Sequence, residues 1–309
     1  MEIRQLETFV CVARTLNFSR AAEEINLSQP TISTHIGSLE NYLNVQLFVR
    51  NTKEVSLTKA GQSFLGFAKK ILTTRDQALI DINGENFDVS GHIYILSSTI
   101  PSQHLLPEII ASFHKQRPNI RFHVEQADSR QVEREMSGFR YDFGMIGTTP
   151  DNNRFTHYPV YDDELVLILP NDTPQSPETI REGFSDFIFQ VPFIMRESGS
   201  GTRAEIENIF SKTGLNLNKL RLTAYFADTH SILLAVSRGM GVSLISRAAA
   251  AMYVNAGLLK QVEMNNPLFC RQIHLLHNKE LLLSPVQQIF CDYVRQFYNS
   301  KFCGKKDIP

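Results

Sequence analysis

Residues 28–40 read SQPTISTHIGSLE, and two properties of this stretch decide how the chain begins. Ile32, Ile36, Leu39 and Leu43 recur at intervals of four, three and four residues, the apolar stripe of an α-helix. The residues between them suit a solvent-facing helix poorly: Pro30, Thr31, Ser33, Thr34, Gly37 and Ser38 replace the Glu, Lys and Ala that such a face normally carries. Short hydroxyls and a glycine leave room for something to come close. Ser28 supplies an N-cap. Leu27 and Ile32 occupy the two positions of a hydrophobic staple, and Pro30 sits in the first turn, where a missing N–H costs little.

Upstream, the spacing predicts a helix over 3–16 with Ile3, Leu6, Phe9, Val10 and Ala13 on one side, broken at Asn17. FSRAAEEI predicts a second, short helix. Ser19 is its expected cap, and Ala21, Ala22 and Ile25 face inward. NLS follows as a tight turn. Two short helices, a three-residue turn and a proline-started second helix make a helix-turn-helix. In that motif the second helix lies in the DNA major groove with its first residues at base edges. Gln29 can pair bidentately with adenine. Ser33 and Thr34 can reach bases or phosphates, and Pro30 and a threonine methyl can touch a thymine methyl. Ser28 and Thr31 complete this face, with Ser19 and Arg20 on the DNA backbone.

Downstream, VQLFVRNTKEVSLT (45–58) alternates apolar and polar around the turn Asn51–Glu54 and reads as a two-stranded wing. Arg50 and Lys53 there suit phosphate or minor-groove contact. Thr58 is the expected cap of a long helix over about 58–84. Leu65, Ala68, Leu72, Arg75, Leu79 and Ile82 fall on the 3-4 spacing of a coiled-coil seam. The seam favours a dimerisation helix over one packed on its own domain, and Arg75 must snorkel or pair. GENFDVSG (84–91) reads as a linker. Beyond it strands and helices alternate, which predicts an α/β unit with mostly parallel sheets.

Bulk properties name no partner. The 309 residues carry a net charge of −1. Over residues 1–58, Glu2, Glu7, Glu23, Glu24, Glu40 and Glu54 outnumber Arg4, Arg14, Arg20, Arg50 and Lys53. Counterion release should be modest per subunit, so useful DNA affinity needs more than one. No apolar run approaches the roughly 20 residues of a membrane span. MEIRQLETF lacks a signal-peptide core, and a cytoplasmic location is expected. The four cysteines, Cys11, Cys270, Cys291 and Cys303, have neither C-x-x-C nor zinc spacing.

The residues FSRAAEEINLSQPTISTHIGSLENYLNVQLFVRNTKEVSLTKAG resemble the N-terminal signature of LysR-type transcriptional regulators. SSTIPSQHLLPEII, YDFGMIG, RESGSGTR and SRGMGVSLISRAA are similar to the second domain of that family, closest to the branch of sulfur or selenium metabolism and carbon-fixation genes. The resemblance implies a winged helix-turn-helix, a long linker helix and a two-lobed, periplasmic-binding-protein-like effector domain. It implies a homodimer or homotetramer on promoter DNA. The expected partition is 1–58 for DNA binding, 59–88 for the linker helix and 89–309 for the effector domain. Its lobe I covers about 91–161 and 267–300, and lobe II about 162–266. One departure is that Thr34, Gly37 and Ser38 stand where the family often has Arg or Lys.

Three glycine- and hydroxyl-rich segments sit where strands end and helices begin: SSTIPS (97–102), SGSGTR (198–203) and DTHS (228–231). Helix N-termini bind anions. If the strands run as the family fold implies, these starts converge on one cleft. A small anionic effector would then meet Ser98, Thr99, Pro101, Ser102, Ser200, Gly201 and Thr202. Gly147, Thr148, Arg203, Thr229 and His230 stand at its edge. The chain lacks G-x-S-x-G, the P-loop lysine and H-E-x-x-H, so no enzyme, cofactor or metal is expected. The alternatives are a small-molecule-binding protein with a degenerate helix-turn-helix, or an enzyme built on the sensor fold.

Overall fold

A computed structural model of the chain describes residues 1–50, 55–83, 90–151 and 153–298. Helices α1 (Ile3–Thr15), α2 (Phe18–Glu24) and α3 (Gln29–Leu43) close around one apolar core. Ile32, Ile36 and Leu39 of α3 are fully buried beside Phe9, Val12 and Ala21. Ser28 caps α3 by accepting from the Thr31 N–H at 3.3 Å. The cap of α2 is Asn17, not Ser19. Asn17 has the extended backbone a cap needs, and its side-chain Oδ1 accepts from the Arg20 N–H at 3.0 Å, whereas Ser19 already lies in the first turn.

Strands β1 (Phe48–Arg50) and β2 (Val55–Leu57) pair antiparallel as the wing. A Glu40 carboxylate oxygen accepts from the Leu47 and Phe48 N–H groups at 2.8 and 3.2 Å and so ties the wing to α3. Helix α4 runs Lys59–Asn83, its start capped by Thr58, whose hydroxyl accepts from the Gly61 N–H at 3.0 Å. The apolar seam of α4 divides in two. Leu65 and Ala68 are buried in the helix-turn-helix core, while Leu79 and Ile82 are 41% and 81% exposed. Arg75 pairs, with Glu7 at 2.5 Å and with Asp76. Thus the first half of the seam packs on its own domain and only the second half is open to a partner. The linker residues 84–89 lie outside the described residues.

The second domain starts with β3 (Gly91–Ser97), a π-helical turn Pro101–Leu105, α5 (Leu106–Gln116), β4 (Ile120–Gln126), α6 (Ser129–Met136) and β5 (Phe143–Ile146). Strand β6 (Phe155–Pro170) is 16 residues long and crosses from lobe I to lobe II. Lobe II continues with α7 (Pro177–Glu182), α8 (Phe184–Gln190), β7 (Pro192–Arg196), α9 (Gly201–Thr213), β8 (Arg221–Phe226), α10 (Thr229–Ser237), β9 (Ser243–Ser246), α11 (Arg247–Asn255) and β10 (Leu259–Val262). Strand β11 (Cys270–Asn278) then returns to lobe I, and α12 (Pro285–Phe297) covers it.

Period-two alternation places the two cores of each lobe. Ile93 and Ile95 of β3 face α5 and α12, whereas Leu96 faces α6. In β6, Leu165, Leu167 and Leu169 face α7–α9, and Val166 and Ile168 face α10 and α11. The sheets are mixed, not mostly parallel. Strand β3 pairs in parallel with β4 and β5, and β7 with β8, but β6 pairs antiparallel with β9, β10 and β11. The cause is the crossover: β6 leaves lobe I and β11 comes back beside it, from Phe155 opposite Asn278 to Glu164 opposite Cys270. No helix among the described residues is long and apolar enough to cross a membrane.

Candidate DNA-recognition helix and effector cleft

The face of α3 opposite its core is small and open. Ser28, Gln29, Pro30 and Thr34 are exposed, and Thr31, Ser33 and Gly37 are half-buried. A Cβ built on Gly37 would meet nothing within 4 Å. The hydroxyls are held locally rather than buried: Gln29 Nε2 donates to Ser33 Oγ at 3.3 Å, and Thr34 Oγ1 donates to the Pro30 carbonyl at 3.0 Å. Ser19 and Arg20 are exposed at the start of α2. Arg50 ends β1, and Lys53 lies outside the described residues. Several carboxylates of this domain are engaged internally. Glu7 pairs with Arg75, Glu24 with Arg14, and Glu40 with wing N–H groups.

A small cavity lies between the lobes, with about 20 Å³ open to the centres of water-sized spheres. That is room for about one water or a small ion. Ser98, Thr99 and Ile100 line it from the end of β3, Gly147 from the end of β5, and Ser200, Gly201 and Thr202 from the start of α9. Asp128, Ser129, Arg196 and Arg271 complete the wall. Of the residues expected at this site, Ser98, Thr99, Gly147, Ser200, Gly201 and Thr202 meet here.

Others stand off. Pro101 and Ser102 belong to the helical turn behind the wall, where the Ser102 N–H bonds the Ser98 carbonyl at 3.0 Å. Thr148 donates to Glu133 at 3.5 Å. Thr229 is one bond away, its hydroxyl accepting from Arg196 at 2.9 Å. Arg203 turns outward to Glu207 at 2.8 Å and over the Tyr225 ring. His230 is exposed beside Tyr253.

The helix starts around the cavity differ in what already occupies them. The start of α10 is closed by Asp228, which accepts from the Ser231 N–H and hydroxyl at 2.7 Å each. Burial alone would raise the Asp228 carboxyl, but these bonds and nearby Arg196 hold it below its ordinary range. The DTHS segment therefore already carries its anion. Asp128 does the same for α6, accepting from the Gln131 N–H at 2.9 Å. Helix α9 has no side-chain cap bond, so its first N–H groups remain for other acceptors; at the Pro101 turn the proline has no N–H and the Ser102 N–H is already taken by the Ser98 carbonyl.

Sequence reasoning missed the two arginines. Arg196 is 3% exposed and donates to Thr229, to Thr99 at 3.4 Å, to the Ala227 carbonyl at 3.2 Å and to Glu197 at 2.7 Å. Arg271 forks onto one oxygen of the fully buried Asp163 at 2.9 and 2.8 Å, and Ser246 donates to the other oxygen at 2.5 Å. Asp163 and Arg271 are register partners on the two crossing strands. The usable signal was an arginine ending the apolar strand PFIMR, because buried charges need partners. Ser129 Oγ is buried with no hydrogen-bond partner and faces Gly201.

A winged helix-turn-helix joined to a two-lobed binding domain defines a ligand-responsive DNA-binding regulator. Comparison with known proteins agrees. A profile of bacterial regulatory helix-turn-helix proteins of the lysR family matches residues 3–62, and one of the LysR substrate binding domain matches residues 88–299. The chain belongs to the LysR family of transcriptional regulators. An uncharacterised HTH-type transcriptional regulator of Methanocaldococcus jannaschii is 30% identical over 278 residues, 90% of this chain and 93% of that protein. The RuBisCO operon transcriptional regulator of Allochromatium vinosum is 28% identical over 95% of each chain. The fold matches full-length OxyR from Pseudomonas aeruginosa with a TM-score of 0.76 at 18% identity, over 100% of this chain and 99% of that one.

Proposed function

We propose that the chain reads promoter DNA with Gln29, Pro30, Ser33 and Thr34, positions itself on the backbone with Ser19, Arg20, Ser28, Thr31, Arg50 and Lys53, and answers to a small anionic effector between its lobes. One observation carries the DNA half: the inner face of α3 is sealed while its outer face is small, polar and unobstructed. The effector half is supported by the uncapped start of α9, the unpartnered Ser129 hydroxyl and the buried Arg196 around one small cavity. Ligand binding that favours one lobe angle would shift the population of DNA-bound arrangements.

The exposed second half of α4 supports a homodimer or higher oligomer, and lone domains of such modest charge need that avidity. The residues around the cleft suit binding rather than turnover, and a regulator of chromosomal promoters works in the cytoplasm. A mobility shift on the DNA upstream of its own gene tests the first half. A thermal-shift panel of sulfate, phosphate and small carboxylates tests the second. One anion should raise the melting temperature of the wild type but not of Gly201→Ala, whose Cβ would come 2.7 Å from Ser129 Oγ. A panel with no stabilising anion overturns the effector assignment, and no shift on any duplex overturns the DNA assignment.

A further inference from the structure

The helix-turn-helix does not hang free of lobe I. The Glu24 carboxylate, at the end of α2, accepts from Arg14 of α1 and from the Tyr94 hydroxyl of β3. The Arg14 guanidinium also lies 3.8 Å from the centre of the Tyr94 ring. Burial alone would raise the Glu24 carboxyl, yet the bonds from Arg14 and Tyr94 hold it below its ordinary value, so it stays charged. Two further contacts cross the same junction. Arg140 Nε donates to the Arg14 carbonyl at 3.2 Å, and Lys69 of α4 reaches Asp142 at 3.4 Å.

The lobe I side of this junction is the other end of the strands that build the cleft. Tyr94 lies four residues before Ser98, a distance of roughly 13 Å along a strand. Asp142 immediately precedes β5, and Gly147 immediately follows it. The two are locked together: the Tyr94 N–H donates to Asp142 Oδ2 at 2.9 Å, and the Asp142 N–H donates to the Tyr94 carbonyl at 2.9 Å. Beyond that point Ile95–Ser97 pair in parallel with Phe143–Met145. Ser98 and Gly147 are thus joined to Tyr94 and Asp142 along two paired strands of the sheet.

We propose that Glu24, clasped between Arg14 and Tyr94, is a latch that couples the effector cleft to the orientation of the helix-turn-helix. The proposal rests on the regulator reading above and adds the route by which the cleft is felt at α2. Closing the latch uses one charge-assisted O–H···carboxylate bond between domains, so losing it should shift the docked-to-undocked ratio by about tenfold or more. That lies within the range of ordinary allosteric couplings, about 5–150-fold.

The test compares full-length wild type with Tyr94→Phe, Glu24→Gln and the double variant by amide hydrogen exchange. Tyr94→Phe keeps the ring under Arg14 and removes only the hydroxyl. Both single variants should speed exchange by about tenfold in residues 14–24 and also in 97–102, with residues 201–213 of lobe II unchanged. The double variant should add little to either single. Exchange altered only at the junction, with 97–102 untouched, overturns the latch, as does strict additivity. Unchanged melting temperature outside the N-terminal unfolding step confirms that lobe II remains folded. Duplex binding by the same samples separates the two claims. Failure of the wild type to bind DNA removes the regulator reading and leaves the exchange result interpretable.

Discussion

Breaking the buried pair at the lobe crossing should be among the most costly single changes in the effector domain. Asp163 is fully buried, and the Arg271 side chain is 4% exposed. Changing Asp163 to Asn or Arg271 to Met leaves the other charge in the interior, a loss of about 3–5 kcal/mol. For a domain of this size each kcal/mol moves the melting temperature by about 2–4 °C. The effector-domain transition should therefore fall by roughly 6–20 °C. Removing both charges together, as Asp163→Leu with Arg271→Met, should restore most of that loss, because apolar replacements of buried pairs are often neutral. Differential scanning calorimetry on the full chain reads each transition, and urea titration gives the free energies. Single variants costing less than about 1 kcal/mol, or losses that simply add, would show that Asp163 and Arg271 do not act as one unit.

Three other outcomes follow from the structure. Gly61→Ala would place a Cβ 2.1 Å from the Leu47 carbonyl oxygen and 2.9 Å from Leu57 Cδ2. The wing and α4 must part, at a cost of about 1–3 kcal/mol, so the first unfolding step and DNA affinity should both drop. Burial holds His274 neutral, with its proton affinity lowered to about 4, helped by His157. Since the unfolded chain takes that proton near 6.5, this stability is complete above pH 6.5 and is lost as pH falls toward 4. The gap is worth roughly 3 kcal/mol, and His274→Phe should flatten the fall in urea stability across that window. Arg196→Met should abolish any anion-induced thermal shift while leaving duplex affinity without anion within about threefold of wild type, since the proposed DNA contacts lie in the other domain.

Local order was legible in the sequence, and long-range order was not. Helix α3 could be read because its stripe, cap and staple all lie within 17 residues of one another, from Leu27 to Leu43. The wing and α4 were legible for the same reason. The cap of α2 was misassigned because Asn17 and Ser19 are both competent and only the backbone angles choose between them. In the cleft, Ser98, Thr99, Ser200 and Thr202 could be found as hydroxyls at strand-to-helix turns. Arg271 could not, since its place depends on pairing with Asp163, 108 residues earlier in the chain. At DTHS the helix start is already filled by Asp228, and Thr229 reaches the cavity only through Arg196. The dual fate of the α4 seam was equally hidden, because periodicity reports an apolar stripe without saying which chain covers it.

The proposed role of the outer face of α3 is to read base edges. The direct measurement is fluorescence anisotropy of wild type and Gln29→Ala on the promoter duplex and on single-base-pair variants of it. Gln29→Ala should lose about 1–3 kcal/mol on the native site and no longer discriminate at one base pair, where the wild type does. Equal weakening on every duplex, with discrimination intact at all positions, would contradict that role.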